Sequence, residues 1–227
     1  LVFLTKKLFY FSQMRNNIQL KKSIAIIVIV LLIDQLVKVY IKTHFYLGET
    51  VHIFGLDWAR LHFVENNGMA WGTEFGGRTG KLFLTLFRLV AITGIGYWLV
   101  SSIKQNASKL LIFAITLIFA GAFGNIIDSV FYGLIFDTPG GTNLATSFAE
   151  NPYGTLFHGK VVDMFYFPFI KNGTFPFWIP FIGGETFPFF NAIFNVADFV
   201  ISVGVGVLIV FNKRVFPKEE KTTITEA

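Results

Sequence analysis

Two carboxylates in this chain lie where an acid is unfavourable, and their surroundings suggest acid–base chemistry. Asp198 lies inside an apolar run long enough to cross a bilayer, where a charged side chain costs about 3 kcal/mol on insertion scales. Asp163 lies between apolar residues at the end of a long polar insertion. Two carboxylates that converge on one place can share a proton, so that one acts as an acid and the other as a base. We therefore predict that Asp163 and Asp198 form a catalytic pair.

An asparagine and an aspartate recur three residues apart in two apolar segments. One segment carries Asn125 and Asp128, and the other carries Asn195 and Asp198. The i, i+3 spacing places each amide beside its carboxylate on one face of a helix. The repeat predicts two polar helix faces within one site. The alternative is that these side chains only join helices through hydrogen bonds.

Two further charged positions lie in apolar segments. Asp34 and Lys38 are four residues apart, hence on one helix face, and can neutralise each other within the membrane. They either support the site or form a plain structural ion pair. Arg88 lies near the outer end of its segment, and we interpret it as a side chain that reaches back to the membrane surface.

The composition indicates a membrane protein. Of 227 residues, 53% are hydrophobic and 18% aromatic, and the mean hydropathy is +0.60, too apolar for a soluble domain of this length. The apolar runs predict an all-α membrane protein, a four-helix transmembrane bundle in a single domain over residues 1–227. The predicted spans are about 23–41, 81–100, 110–134 and 187–211.

The segments between the spans predict the remaining architecture. Residues 43–80 alternate between apolar and polar, which predicts short strands of a small β-sheet lying on the membrane. Residues 135–186 include a stretch at 137–159 rich in Gly, Thr and Asn, which we interpret as a long, mobile loop insertion. A leader (1–22) and a tail (212–227) are basic, so both termini are predicted in the cytoplasm and both long loops on the extracytoplasmic side.

Other reactive chemistries lack their residues in this sequence. It contains no Cys, which excludes disulfides, thiolate metal sites and a Cys nucleophile. His52, His62 and His158 have no metal-ligand spacing, and neither a Gly-x-Ser-x-Gly sequence nor a phosphate-binding Gly-rich loop occurs. The net charge of +5 comes without a basic stripe. We therefore predict no metal, no cofactor and no nucleic acid partner.

Five polar blocks follow one another along the chain. They are Asp34-Gln35-x-x-Lys38, Asn66-x-Gly68-x-Ala70-Trp71, Gly121-Ala122-x-Gly124-Asn125-x-x-Asp128, Val161-Val162-Asp163-Met164-Phe165 and Phe194-Asn195-x-Ala197-Asp198. In order and in predicted topology, these blocks resemble those of bacterial lipoprotein signal peptidase, also called signal peptidase II. The resemblance covers residues 33–204.

This resemblance implies an aspartyl endopeptidase, a hydrolase of the bacterial cytoplasmic (inner) membrane. Such an enzyme removes the signal peptide from diacylglyceryl-modified prolipoproteins, cutting before the lipidated Cys. It implies Asp163 and Asp198 as the catalytic dyad and inhibition by cyclic peptides of the globomycin type. A monomer surrounded by membrane lipid is expected. The residues implied to support the site or to contact substrate are Asp34, Lys38, Asn66, Gly68, Asn125, Asp128 and Asn195.

One position departs from the family pattern. Ser129 stands where the family usually has an Arg that contacts the substrate backbone, and Arg88 and Lys160 are candidates to replace it. Two other functions remain open from the residues alone. A small proton-linked transporter would line its pathway with the intramembrane acids, and a non-catalytic assembly factor would need neither dyad carboxylate.

Overall fold

The first helix is longer than the predicted span. The computed structural model describes residues 2–67, 77–189 and 191–217. Helix α1 (Val2–His44) continues through the predicted leader (1–22) and the predicted span (23–41). Neither Gly nor Pro occurs between residues 2 and 44, so no residue there interrupts the helical hydrogen bonds. The basic leader thus extends the first spanning helix.

The second and third helices form the next two predicted spans. Helix α2 covers Gly77–Lys104 and helix α3 covers Lys109–Ile127. The Ser108 hydroxyl caps α3 by accepting a hydrogen bond from the Leu111 amide at 3.1 Å. A π-helical turn at Asp128–Tyr132 and the short helix α4 (Gly133–Ile135) extend α3. Such turns are rare and occur often at functional sites.

The fourth helix is shorter than predicted. Helix α5 covers Val196–Val210, and helix α6 (Asn212–Val215) follows it. The prediction of a span from about residue 187 differs from the structure because the chain before Asn195 is extended and Asn195 caps the helix. Among the residues that the structure describes, three helices are long and apolar enough to cross a membrane, within Tyr10–His44, Gly77–Lys104 and Lys109–Ile135. Helix α5 is apolar but has only 15 residues.

A small antiparallel sheet lies at one end of the helices. In the described residues, its strands pair in the order β1-β2-β3-β6, and β4 and β5 form a separate two-stranded hairpin. The strands are β1 (Thr50–His52), β2 (Arg60–Asn66), β3 (Val161–Tyr166), β4 (Ile170–Thr174), β5 (Thr186–Phe189) and β6 (Ile193–Phe194). Strands in 43–80 were predicted. Strands β3–β6 were not predicted, and the pairing of β2 with β3 joins the two long loops in the four-stranded sheet.

The sheet is held to the helix ends by a common core. Phe63, Val162 and Met164 of the sheet are fully buried against Ile41 of α1 and Phe136 just after α4. The register pairs Val64 with Asp163 and Asn66 with Val161, with a bulge between Leu61 and Val64. Asp163 is therefore placed directly above the ends of α1 and α3.

Close helix packing brings α5 against α3. A Cβ atom on Gly121 would lie 2.3 Å from the Ala197 carbonyl oxygen, and one on Gly124 would lie 2.7 Å from Asp34 Oδ2. On α5, a Cβ on Gly204 would meet the Ala114 carbonyl at 2.8 Å. Only glycine permits this approach. The small residues of α3 therefore allow three helices to bring their polar side chains together.

The 137–159 segment lies against the end of α3 and α4. The Phe157 amide donates to the Val130 carbonyl at 3.1 Å, and the Gly159 amide donates to the Ser129 carbonyl at 2.9 Å. A further bridge joins Phe136 to Ser147. The insertion expected from its composition is therefore tied at several points to the π-helical turn beside the site.

Candidate active site

Lys38 lies at the centre of a buried polar cluster. Its Nζ lies 2.9 Å from Asp34 Oδ2 and 2.8 Å from Asp128 Oδ2, and all three side chains are fully buried. Lys38 also donates to Asn125 Oδ1 at 2.8 Å. The predicted pair of Asp34 and Lys38 is thus a three-membered ion cluster between α1 and the end of α3.

Gln35 completes the cluster, although the sequence analysis assigned it no role. Its side-chain Nε2 donates to Asp34 Oδ2 at 3.0 Å and to Asp128 Oδ1 at 2.9 Å. The Tyr132 hydroxyl donates to the side-chain Oε1 of Gln35 at 3.1 Å. The only sequence signal was its position in the Asp34-Gln35-x-x-Lys38 block. Gln35 fixes the orientation of both carboxylates.

The N-terminus of α5 holds Asp198. The Asn195 side chain accepts from the Asp198 amide at 2.9 Å, and Asp198 Oδ2 accepts from the Asn195 amide at 3.3 Å, which forms a capping box. Asp198 Oδ1 also accepts from Asn125 Nδ2 at 2.8 Å. The first turn of a helix stabilises a negative charge through its free amides. This position places the Asp198 carboxylate beside the polar face of α3.

Asp163 approaches from the sheet. The side chain of Asn66 donates to its Oδ2, and Asn195 Nδ2 donates to its Oδ1 at 2.7 Å. The residue is only 3% exposed. Burial, followed by the negative charge of Asp198, raises the pKa of Asp163 to about 8. The two amide donors favour the ionised form, but burial outweighs them, so Asp163 is neutral at pH 7.

Two amides join the clusters into one network. Asn125 contacts Lys38 and Asp198, and Asn195 donates to Asn125 Oδ1 at 3.1 Å as well as to Asp163. The structure thus brings together every predicted site residue that it describes. Gly68 lies outside the described residues. Among the residues described, no group of three or more His, Asp or Glu side chains could hold a metal ion.

Arg88 faces the acids and not only the membrane surface. Its Nη1 donates to Ser129 Oγ at 3.4 Å, and its guanidinium interacts electrostatically with Asp198, Asp128 and Asp163. Ser129 in turn donates to the Asn125 carbonyl at 3.0 Å. The interpretation of Arg88 as a side chain that only reaches the surface is therefore corrected. The small Ser129 leaves room for a guanidinium from α2.

A second buried charge cluster supports the sheet. Fully buried Lys42 pairs with Glu65, and Lys160 Nζ lies 3.5 Å from Glu65 Oε2. Lys42 also lies 5.1 Å from the ring centre of Phe136 and 5.0 Å from that of Tyr153. Glu65 directly precedes Asn66, which donates to Asp163. The cluster was not predicted, and it fixes the strand that positions Asn66.

The arrangement permits general acid–base catalysis by two unlike carboxylates. Asp163 is neutral and can donate a proton, and Asp198 lies in the first turn of α5. Asn195 donates to Asp163 Oδ1 through its side chain and to Asp198 Oδ2 through its backbone amide, so it contacts both carboxylates. An acid and a base are the groups that hydrolysis of an amide by water requires, and a nearby guanidinium can orient a peptide.

Comparisons with known proteins agree with this chemistry. A family profile described as Signal peptidase (SPase) II matches residues 26–213. The lipoprotein signal peptidase of Porphyromonas gingivalis is 46% identical over 191 residues, 84% of this chain and 82% of the relative. That of Amoebophilus asiaticus is 33% identical, covering 91% of this chain and 85% of the relative. A solved structure described as a bacterial membrane enzyme has a TM-score of 0.53 and 25% identity, covering 88% of this chain and 94% of its own.

Proposed function

The chain belongs to the signal peptidase II family, whose members cleave the signal peptide from prolipoproteins, and we propose that Asp163 and Asp198 are the residues with which it does so. The observation that supports this proposal is the pair of contacts from Asn195, which donates to one carboxylate and caps the helix turn of the other. The comparisons name peptidases, so neither a transporter nor an assembly factor is favoured.

In the proposed mechanism the two acids have different first roles. Ionised Asp198 accepts a proton from water, whose oxygen attacks the scissile carbonyl carbon. Neutral Asp163 donates its proton to the carbonyl oxygen, which gives a neutral tetrahedral diol. Asp198 then returns its proton to the leaving nitrogen while Asp163 recovers one from the diol hydroxyl. The C–N bond breaks, and both residues return to their starting states.

The remaining network positions this pair. Lys38 holds Asp34 and Asp128, and Asp34 Oδ1 accepts from the Ala197 amide at 2.9 Å, so the ion cluster fixes the first turn of α5. Asn66 and Asn195 hold Asp163 from two sides. We assign these residues to orientation and not to proton transfer. Gly68 keeps its proposed role as a substrate contact, since it belongs to the same sequence block as Asn66.

Arg88 is the proposed contact to the substrate backbone. Of the two candidate replacements for the usual Arg, Lys160 pairs with Glu65, whereas Arg88 reaches Ser129 and the acids. A guanidinium can donate two parallel hydrogen bonds to carbonyl oxygens and so orient a peptide. The departure at Ser129 is then compensated from a different helix.

The substrates and membrane setting follow from the same family. We propose diacylglyceryl-modified prolipoproteins cut before the lipidated Cys, a monomer in the bacterial inner membrane, and competition by cyclic peptides of the globomycin type. Basic residues in the leader and tail support cytoplasmic termini and an extracytoplasmic site. Reporter fusions at Asn151 and at the C-terminus should report opposite sides of the membrane. Reports from one side would refute this topology.

Cleavage of a lipidated prolipoprotein by purified variants tests the assignment. Asp163→Asn and Asp198→Asn each remove a transferable proton and should abolish turnover, and the double variant should lose little more. Asp128→Asn should keep partial activity, and Arg88→Gln should raise KM more than it lowers kcat. Near wild-type turnover by folded Asp198→Asn protein would refute the dyad.

A further inference from the structure

Three phenylalanines in separate outer loops point away from the protein on strained backbone. Phe54, Phe148 and Phe181 have φ angles of 51°, 54° and 71°. Their exposed fractions are 96%, 87% and 101%. Left-handed backbone is unfavourable for a bulky side chain, and Gly or Asn is the usual residue there. Each loop thus keeps a large apolar ring where folding alone favours a small or polar residue.

Two of these rings belong to neighbouring hairpins of the sheet. Phe54 lies in the turn between β1 and β2, and Phe181 lies in the loop between β4 and β5. Trp58, from the first turn, stacks on Phe169 at the start of β4 with ring centres 5.8 Å apart. This contact joins the turn of the first hairpin to the base of the second, so Phe54 and the second hairpin extend from one aromatic contact.

The third ring lies beside the end of a spanning helix. Ser147 bridges to Phe136, and the Ala149 amide donates to the Ile135 carbonyl at 3.1 Å. Ile135 ends the third apolar span. Phe148, between Ser147 and Ala149, is therefore at the level where the chain leaves the hydrocarbon.

The loop that carries Phe181 has no charge at its tip. Residues 175–184 read Phe-Pro-Phe-Trp-Ile-Pro-Phe-Ile-Gly-Gly. Phe177 and Trp178 within it are 90% and 82% exposed. Large exposed apolar patches mark contact surfaces, and aromatic residues collect at the boundary between headgroups and acyl chains.

We propose that Phe54, Phe148 and Phe181, with Phe177 and Trp178, insert into the outer leaflet and seat the sheet on the membrane. The partner is the lipid surface. A second protein copy would need a continuous complementary face, whereas isolated protruding rings suit a fluid layer that closes around each one. Seating at three points fixes the depth of Asp163 relative to the outer leaflet.

Tryptophan fluorescence in lipid vesicles tests this seating. The full chain is first made free of Trp by changing Trp58, Trp71, Trp98 and Trp178 to Phe. One Trp is then introduced as Phe54→Trp, Phe148→Trp or Phe181→Trp. The proteins are reconstituted into vesicles of phosphatidylethanolamine and phosphatidylglycerol, with and without brominated phosphatidylcholine. Retained prolipoprotein cleavage shows that each variant is folded.

Two control variants define the limits of the measurement. A chain that keeps only Trp98, on spanning helix α2, reports lipid contact, and Asn151→Trp, three residues from Phe148 in an exposed loop, reports water. We expect brominated lipid to quench the three loop reporters as it quenches Trp98, and acrylamide to quench mainly the Asn151→Trp reporter. If the three loop reporters are quenched by acrylamide and not by brominated lipid, as expected for the Asn151→Trp control, the proposal is wrong. Quenching by lipid that disappears as protein density rises would also overturn it, because it would show contact between copies.

Discussion

The stability of the Asp163→Asn variant relative to wild type should rise with pH. Burial and the charge of Asp198 raise the pKa of this carboxyl from 3.8 to about 8, so the folded protein binds the proton more tightly than the unfolded chain. The stability that this proton confers is complete below about pH 4 and is lost as pH rises to about 8. Each pH unit in this window removes about 1.4 kcal/mol from the free energy of unfolding, and the window as a whole removes about 6 kcal/mol.

The Asn side chain does not titrate, so it escapes this loss. The substitution has a constant cost instead. Asn66 and Asn195 each donate to one oxygen of Asp163, and in the variant one of these two donors would face the side-chain NH2 group of the new Asn. That mismatch costs about 1–3 kcal/mol at every pH. The free energy of unfolding of Asp163→Asn minus that of wild type should therefore rise with pH. This holds whether the variant is more or less stable than wild type at a given pH.

Thermal unfolding in detergent micelles measures this difference. Between about pH 5 and pH 8 the melting temperature of Asp163→Asn should gain about 3–6 °C per pH unit on wild type, and the gain should then level off. Thr116→Val, a buried change without a titrating group, is the matched control and should give a flat difference. In wild type, kcat/KM should fall above the same pH. A flat difference for Asp163→Asn would show that Asp163 is ionised in the folded protein, and the proposed acid would be wrong.

Two further predictions concern the packing around the site. Lys42→Met leaves the buried Glu65 carboxylate with only the half-exposed Lys160 at 3.5 Å and should cost about 3–5 kcal/mol in chemical unfolding. Adding Glu65→Leu should recover most of this loss, and no recovery would refute a paired role. Gly121→Ala places a Cβ 2.3 Å from the Ala197 carbonyl and should cost at least about 1–3 kcal/mol, with lower folded yield by size-exclusion chromatography. Gly94→Ala, whose Cβ meets nothing within 4 Å, is the control, and equal yields would contradict the packing argument.

Helical spacing explains why much of the site could be predicted from sequence. Residues four apart share a helix face, and the predicted pair of Asp34 and Lys38 is an ion pair at 2.9 Å. Spacing does not show which faces meet. The third member of the cluster, Asp128, comes from another helix, and Gln35 joins them by hydrogen bonds that no local pattern indicates.

The start of α5 could not be placed because hydropathy does not distinguish an aromatic strand from a helix. Residues 187–194 contain four Phe and one Ile and so continue the apolar run, yet they include most of β5 and all of β6. The signal for the start of α5 was present in Asn195-x-x-Asp198, an amide side chain followed by a carboxylate at the capping-box spacing. From the sequence, that pair indicated site residues or hydrogen bonds between helices, and not the start of a helix. In the structure the same two side chains both cap the helix and belong to the site.

The shortness of α5 has a consequence for the bilayer itself. Fifteen helical residues rise about 22 Å, whereas the hydrocarbon layer is about 30 Å thick. In the proposed topology, Lys213 and Arg214 hold the inner end at the cytoplasmic headgroups, so Val196 ends about 8 Å below the average outer boundary. A hydrophobic mismatch of this size is relieved by thinning of the lipid beside the helix. The carboxylates would then lie in a local depression of the outer leaflet, where water and a lipid-anchored peptide can meet.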